Sequence, residues 1–173
     1  NQALVTLSSS SITNSQLSGI VHDGDGTTNI TSTTITGSGS HGIQTTTQAT
    51  GAIAASNSSI DGTLSAGSVS QTGILMQGTT SVLLTSTTIR NAIDGVQVTG
   101  NAQLEMANGG IRNITNDGIA LEPISPGVST DGFASLTNVT LADIGDNGIR
   151  TVGQEIGGGV SFISSSMFDI GQA

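Results

Sequence analysis

The residues with the clearest chemical potential are carboxylates set among glycines. The run His22-Asp23-Gly24-Asp25-Gly26 places two aspartates on flexible backbone, as a calcium-binding loop does. Two carboxylates supply only part of the roughly six to eight oxygen ligands that Ca²⁺ takes, so main-chain carbonyls or a neighbouring loop would have to supply the rest. The alternative is a glycine-rich turn with solvated acids. Asp23 and Asp25 are therefore a candidate metal site, and calcium is the only cofactor that the sequence suggests.

A second group of aspartates lies at or next to the position before a glycine-aliphatic pair. These residues are Asp94, Asp117 and Asp146. If they lie along one edge, one carboxyl with a raised pKa has the properties of a general acid. Asp-Gly and Asp-Asn-Gly are also ordinary turn sequences at the entry to a strand, and the two interpretations stay open.

Asp61, Arg90 and Arg112 occupy one column when the chain is aligned on its apolar positions. No lysine or second acid completes a catalytic set in this column. The simpler interpretation is an outward-facing cluster of surface ions.

A repeated apolar pattern must position these residues. It reads apolar-x-apolar, four residues, apolar, and about seven residues later glycine-aliphatic. One copy is Val82, Leu84 and Ile89 followed by Gly95-Val96, and copies start at positions 5, 28, 53, 82, 104, 134 and 160. The repeat length is therefore 22–30 residues, and only Thr28 interrupts the first apolar column.

Each repeat is too short to bury its own apolar face, so the repeats must stack on one another. The segments are rich in Thr, Val and Ile and alternate with period two, which favours strands over helices. The sequence predicts an all-β fold, a single-stranded parallel β-helix of about six to seven coils, whose rungs are about 4.8 Å apart. A column of Asn, Asp and Gly two residues after the third apolar position predicts a stacked corner with left-handed backbone. Neither end shows a capping helix, so residues 1–173 are expected to form one β-helix domain within a longer solenoid.

Insertions break the regular coil at residues 62–72, 122–133 and 152–159. The last two fall at the same corner of consecutive coils. Because loops on a rigid scaffold often carry binding residues, Glu122, Asp131 and Glu155 are the predicted recognition residues. Neutral insertions tolerated at little cost are the alternative.

The composition excludes several classes of function. Three arginines, no lysine and twelve acids give a net charge of −9, which disfavours nucleic acid and anionic membranes as partners. No apolar run is long enough for a membrane span. The absence of cysteine rules out disulfides, and the absence of Trp and Tyr disfavours a polysaccharide-processing groove.

The segments TSTTIRNAIDGVQV, ANGGIRNITNDGIAL and TNVTLADIGDNGIRTV resemble the right-handed parallel β-helix repeat family. That family includes pectate lyases, polygalacturonases, tailspikes and the passenger domains of bacterial autotransporters and polymorphic outer-membrane proteins. The resemblance covers nearly the whole chain and implies a right-handed solenoid with a three-sheet cross-section. It concerns the fold, which does not fix the function.

Two functional hypotheses follow. The first is a non-enzymatic bacterial β-helix, secreted or at the cell surface, that presents adhesive loops to a host-surface protein or glycan and associates with itself end to end. The second is part of a carbohydrate-active enzyme, a lyase or a hydrolase, for which the resemblance makes clustered aspartates and arginines relevant. Complete scaffolding with sparse chemistry favours the first hypothesis.

Overall fold

The chain winds as a solenoid of parallel strands in a computed structural model, which describes residues 2–63, 70–123, 131–152 and 158–171. Six coils have three strand segments each, and the seventh has two within the described residues. The predicted β-solenoid is confirmed. None of the described residues belongs to a helix with the length and apolar character needed to cross a membrane.

The strands follow one another coil by coil along the described chain. They are β1 (Leu4–Ser8), β2 (Ser11–Thr13), β3 (Ile20–His22), β4 (Thr27–Thr31), β5 (Thr34–Thr36), β6 (His41–Thr45), β7 (Ala52–Ser56), β8 (Ser59–Asp61), β9 (Ser70–Met76), β10 (Ser81–Thr85), β11 (Thr88–Thr99), β12 (Gln103–Ala107), β13 (Gly110–Ile114), β14 (Ile119–Glu122), β15 (Phe133–Thr137), β16 (Thr140–Ile144), β17 (Ile149–Thr151), β18 (Gly159–Ile163) and β19 (Ser166–Ile170).

Three parallel sheets run along the solenoid. Sheet A is β1-β4-β7-β10-β12-β15-β18. Sheet B is β2-β5-β8-β11-β13-β16-β19, and sheet C is β3-β6-β9-β11-β14-β17. The long strand β11 contributes its first half to sheet B and its second half to sheet C, so these two sheets join without a break at the fourth coil.

The predicted apolar columns point inward and are in register from coil to coil. In the middle coils, Val82 pairs with Leu104, and Ile89 with Ile111. These side chains are no more than 1% exposed. The burial of aliphatic columns from three sheets gives each coil a core that only its neighbours complete, as the repeat length requires.

The glycine of each repeat is required by close packing between coils. A Cβ on Gly73 would lie 2.6 Å from the carbonyl oxygen of Gly95 and against the Cγ2 methyl group of Ile89. Gly19 has the same relation to Gly42 and Ile35. The sheet B isoleucine of the next coil thus occupies the space where a side chain would stand.

The predicted left-handed corner between sheets B and C is confirmed. Positive φ values occur at Asn14, Gly37, Asn91, Asn113, Asp143 and Asp169. Along this corner Asn113 donates to the side-chain oxygen of Asn91, and Asn91 donates to Asp61 Oδ1 at 2.8 Å. These bonds continue the backbone ladder through the side chains.

A second left-handed corner, between sheets A and B, was not predicted. It comprises Ser9, Ser32, Asn57, Ser86, Asn108, Asn138 and Ser164, with φ between 47° and 54°. Serine carries most of this column, and serine is less typical of left-handed backbone than asparagine or glycine. The residue type therefore gave a weak signal, although the regular spacing was visible.

Candidate functional site

The outward surface of sheet C carries a cluster of charged and amide side chains across coils four to six. The residues before the repeat glycine stack in a column, since the amide of Gly95 donates to the Asp117 carbonyl at 2.9 Å and that of Gly118 to the Asn147 carbonyl at 2.8 Å. Asp94, Asp117 and Asn147 therefore occupy consecutive rungs. The prediction that Asp94 and Asp117 lie close along one edge is confirmed.

Asp146 lies beside this column rather than in it. Asn147 immediately precedes Gly148 and so takes the stacked position, whereas Asp146 is exposed in the turn. The backbone amide of Asp146 donates to the carbonyl of Asn116 at 2.9 Å. Because the repeat glycine sets the register, the stacked side chain on this rung is the amide of Asn147 and not the carboxylate of Asp146.

Arg150 connects the acids of the cluster. Its Nε donates to Asp117 Oδ2 and its Nη2 to Glu122 Oε1. Asn147 donates to Asp117 Oδ1 at 2.8 Å, and Gln97 donates to Glu122 Oε2 at 2.6 Å. Asp117 is only 5% exposed, and these donors satisfy its buried oxygens. The bonds to Asp117 and Glu122 raise the pKa of Arg150 above its ordinary value.

Asp94 has a different environment from Asp117. Burial, followed by the charges of Asp117 and Glu122, raises the pKa of Asp94, although the Asp117 amide at 3.4 Å and the charge of Arg150 oppose the shift. The neutral form of Asp94 is thus favoured, and the neighbouring carboxyl group of Asp117 is bonded to Arg150. Such a pair can donate and accept a proton at one place.

Glu122, a predicted recognition residue, lies where the second insertion leaves sheet C. Leu121 pairs with Thr151, so the insertions at 122–133 and 152–159 leave adjacent rungs. They also return on adjacent rungs, because a Cβ on Gly158 would overlap the backbone of Gly132. The prediction that these insertions share one corner of consecutive coils is confirmed.

The other two predicted recognition residues lie further along the insertions. The Asp131 amide donates to Asn101 Oδ1, on the preceding coil, at 3.4 Å. Glu155 lies outside the described residues. Recognition by these residues stays a prediction. The two insertions that carry them start from adjacent rungs at the corner between sheets C and A.

The candidate calcium loop lies at this corner of the first coil. Asp23 accepts a hydrogen bond from the hydroxyl group of Thr46 on the next coil, and both Asp23 and Asp25 are exposed. Within residues 2–63, 70–123, 131–152 and 158–171, no three His, Asp or Glu side chains come together as a metal site would require. Calcium binding by Asp23 and Asp25 stays a prediction.

His22 is a buried residue whose role was not predicted. It is 5% exposed, and its Nδ1 lies 3.0 Å from the hydroxyl oxygen of Thr28. Its Nε2 is buried without a hydrogen-bond partner in the described structure. Burial lowers the pKa of His22, against the opposing charge of Asp23. The signal was its position two residues after Ile20, which is the inward column that also contains Thr45.

The column of Asp61, Arg90 and Arg112 is confirmed as an outward-facing surface cluster. Arg90 pairs in register with Asp61 on one side and Arg112 on the other. Its Nε lies 2.9 Å from Asp61 Oδ2. Burial raises the pKa of Asp61, but hydrogen bonds from Asn91 and Thr63, with the charge of Arg90, hold it below its ordinary value.

All-parallel strands, coil-to-coil register and an aliphatic interior define a parallel β-solenoid. The family model described as a right handed beta helix region matches residues 1–167 of the chain. The chain therefore belongs to the right-handed β-helix family, as the resemblance of its repeats implies. Neither the curated proteins nor the solved structures contain a match to it.

Proposed function

We propose that this chain is a non-catalytic stretch of a secreted or cell-surface bacterial β-helix, and that its paired insertions bind a host-surface protein or glycan. The observation that carries the proposal is the pairing of Glu122 with Arg150. These residues lie at the bases of two insertions that leave and re-enter the solenoid on adjacent rungs. A rigid base shared by two loops is what a recognition surface needs.

Electrostatics limits the choice of partner. The net charge of −9 disfavours polyanions and favours neutral or basic surfaces. The absence of cysteine and lysine and the high content of Ser, Thr, Asn and Gly support an extracellular location. The proposed partner is therefore a neutral or basic surface that both insertions contact at once.

The test is the binding of the fluorescently labelled chain to cultured epithelial cells, measured by flow cytometry. One variant has residues 124–130 replaced by a short Gly-Ser linker, and the matched control has residues 64–69 replaced in the same way. We expect the first replacement to lower binding at least about tenfold, the effect of losing about 1.4 kcal/mol of binding free energy, and the control to bind as the wild type does. No binding by the wild type, or equal loss in both variants, contradicts the proposal.

End-to-end association belongs to the same proposal. Strands β1 and β18 are the outer strands of sheet A, and Leu4, Val5 and Ile163 on them are exposed. Outer strands present backbone groups that pair readily with another chain. Light scattering and negative-stain microscopy, with and without calcium, should reveal rods longer than a single chain. A monomer of constant size under both conditions contradicts both self-association and a calcium site at Asp23 and Asp25.

A carbohydrate-active enzyme is the second candidate function, and the raised pKa of Asp94 beside Asp117 supports it. In such an enzyme Asp94 would donate a proton to the leaving group, with Asp117 as the neighbouring carboxyl group. Incubation with neutral and acidic polysaccharides, followed by assay of new reducing ends and unsaturated products, tests this function. Activity that disappears in Asp94→Asn would replace the first proposal, and its absence for every substrate removes the second.

A further inference from the structure

A groove of about 480 Å³ on the outward face of sheet B combines an aromatic side chain with charged and amide groups. Arg112, Ala142 and Phe168 occupy one outward column on the fifth, sixth and seventh coils. Phe168 is 50% exposed. Asn108 and Asp143 line the groove from the two corners of the sheet.

Two departures from the repeat create the groove. The outward column that begins each sheet B strand is Ser or Thr on every other coil, but Gly110 occupies it on the fifth. Ala142 likewise stands between Arg112 and Phe168 where earlier coils carry larger residues. Small side chains at these two positions lower the floor, while Arg112 and Phe168 remain as walls.

The two side chains that form the walls present a cation without an ion pair and an exposed aromatic ring. Within the part of the chain that the structure describes, Arg90 and Arg150 are in ion pairs and Arg112 is not. Phe168 faces solvent rather than the core. The two residues are two rungs apart, about 9.6 Å at the usual strand spacing. A ring at van der Waals distance from Phe168, about 4 Å, is therefore within reach of the long Arg112 side chain.

We propose that this groove binds one neutral sugar residue of a glycan. The apolar face of the ring packs on Phe168, and Arg112 donates hydrogen bonds to hydroxyl oxygens. Asp143 accepts hydrogen bonds from hydroxyl groups, and Asn108 is within the same groove. The opposite charges of Arg112 and Asp143 cancel, and the net charge of −9 repels an acidic glycan. The groove lies on sheet B, apart from the insertions, so this proposal and the proposed function can fail separately.

The experiment is saturation-transfer NMR on the purified chain with the methyl glycosides of glucose, galactose, mannose and N-acetylglucosamine. Methyl galacturonoside serves as the charged comparison. We expect transfer from at least one neutral glycoside at about 20 mM, a concentration that saturates a site with a Kd near 1 mM. Absence of transfer from all four overturns the proposal, and transfer from the galacturonoside alone overturns the neutral class of ligand.

Gly110→Thr is the decisive variant because it adds a side chain to the floor of the groove at a position with space for a Cβ. A Cβ at Gly110 would meet only the carbonyl oxygen of Thr140, at 3.4 Å, and threonine restores the residue type of its column. We expect it to abolish binding with no loss of thermal stability. Phe168→Ala should weaken binding about two- to tenfold, the effect of losing one ring contact.

Matched controls separate the groove from general effects of the substitutions. Phe133→Ala removes another exposed phenylalanine, on sheet A, and Arg90→Gln removes an arginine one coil away in the same column. Both should bind the glycoside as the wild type does. Equal loss in the controls, or undiminished binding by Gly110→Thr, overturns the assignment of the sugar to this groove.

Discussion

Arg150 Nε on the sixth coil donates a hydrogen bond to Asp117 Oδ2 on the fifth coil. Asp117 is only 5% exposed. The pair joins two coils through their side chains, in addition to the backbone ladder. Because Asp117 is nearly buried, its charge would be poorly compensated without the guanidinium.

Replacement of Arg150 by methionine is therefore expected to destabilise the fold. Arg150→Met keeps most of the apolar side chain but leaves Asp117 and Glu122 without their cation. We expect a loss of about 2–3 kcal/mol in the free energy of unfolding, below the range for fully buried pairs because Arg150 is partly exposed. Urea titration measures it. Arg90→Met, at the more exposed pair with Asp61, should cost about 1 kcal/mol or less, and equal losses would contradict this difference in burial.

Removal of the charge at Asp94 should stabilise the protein at neutral pH. The pKa of Asp94 is raised in the fold, so stability is lost as the pH rises through that pKa. Asp94→Asn should raise the melting temperature at pH 7 by at most about 4 °C, the change that 1 kcal/mol gives at this chain length. The gain should vanish in acid, where wild-type Asp94 is neutral. A gain that does not change with pH would show another cause.

His22 should make the first coils sensitive to acid. Its pKa in the fold is lowered by burial, so the unfolded chain takes up the proton first as the pH falls below about 6.5. Stability due to neutral His22 is thus complete above that pH and is lost below it. His22→Thr, which introduces the residue of the next coil at the same inward position, should flatten the dependence of the melting temperature between about pH 7.5 and pH 5. Because burial also lowers the pKa of His41, His41→Gln must be measured beside it.

The repeat glycine should tolerate no side chain at all. Gly73→Ala places a Cβ against Ile89 and 2.6 Å from the carbonyl oxygen of Gly95, so coils must separate locally. We expect a loss of about 2–3 kcal/mol by chemical denaturation, as for overpacked cores. Gly110→Ala is the control, and because it has space for a Cβ it should be neutral or stabilise by about 0.5–1 kcal/mol.

Two substitutions of Asn91, in the left-handed corner, should separate the cost of backbone strain from the contribution of its side-chain hydrogen bonds. Asn91 has φ 55° and bonds to Asp61 and Asn113. Asn91→Ala loses both the bonds and the tolerance of left-handed backbone, and should cost about 1–2 kcal/mol. Asn91→Gly loses only the bonds and should cost less. Equal unfolding free energies for the two variants would show that backbone strain is negligible here.

The sequence was sufficient for the solenoid because the apolar columns and the repeat glycine have fixed spacing. It also predicted that Asp94 and Asp117 are neighbours, since the same glycine sets their register. It did not reveal that Arg150 bonds to Asp117 and Glu122, or that Gln97 bonds to Glu122, because residues 25 to 33 positions apart meet only once coils of unequal length are stacked. The burial of His22 is not evident from the sequence, because its inward column also contains Thr45 and the aspartates and glycines after it indicate a polar turn.

The ladder hydrogen bonds of all three sheets run parallel to the long axis of the molecule. Tension applied along that axis loads them in series, so the weakest rung yields first and the others follow one by one. In a pulling experiment the chain should therefore lengthen in steps of one coil, each releasing about 22–30 residues. Such a molecule dissipates a stretching force gradually, one coil at a time.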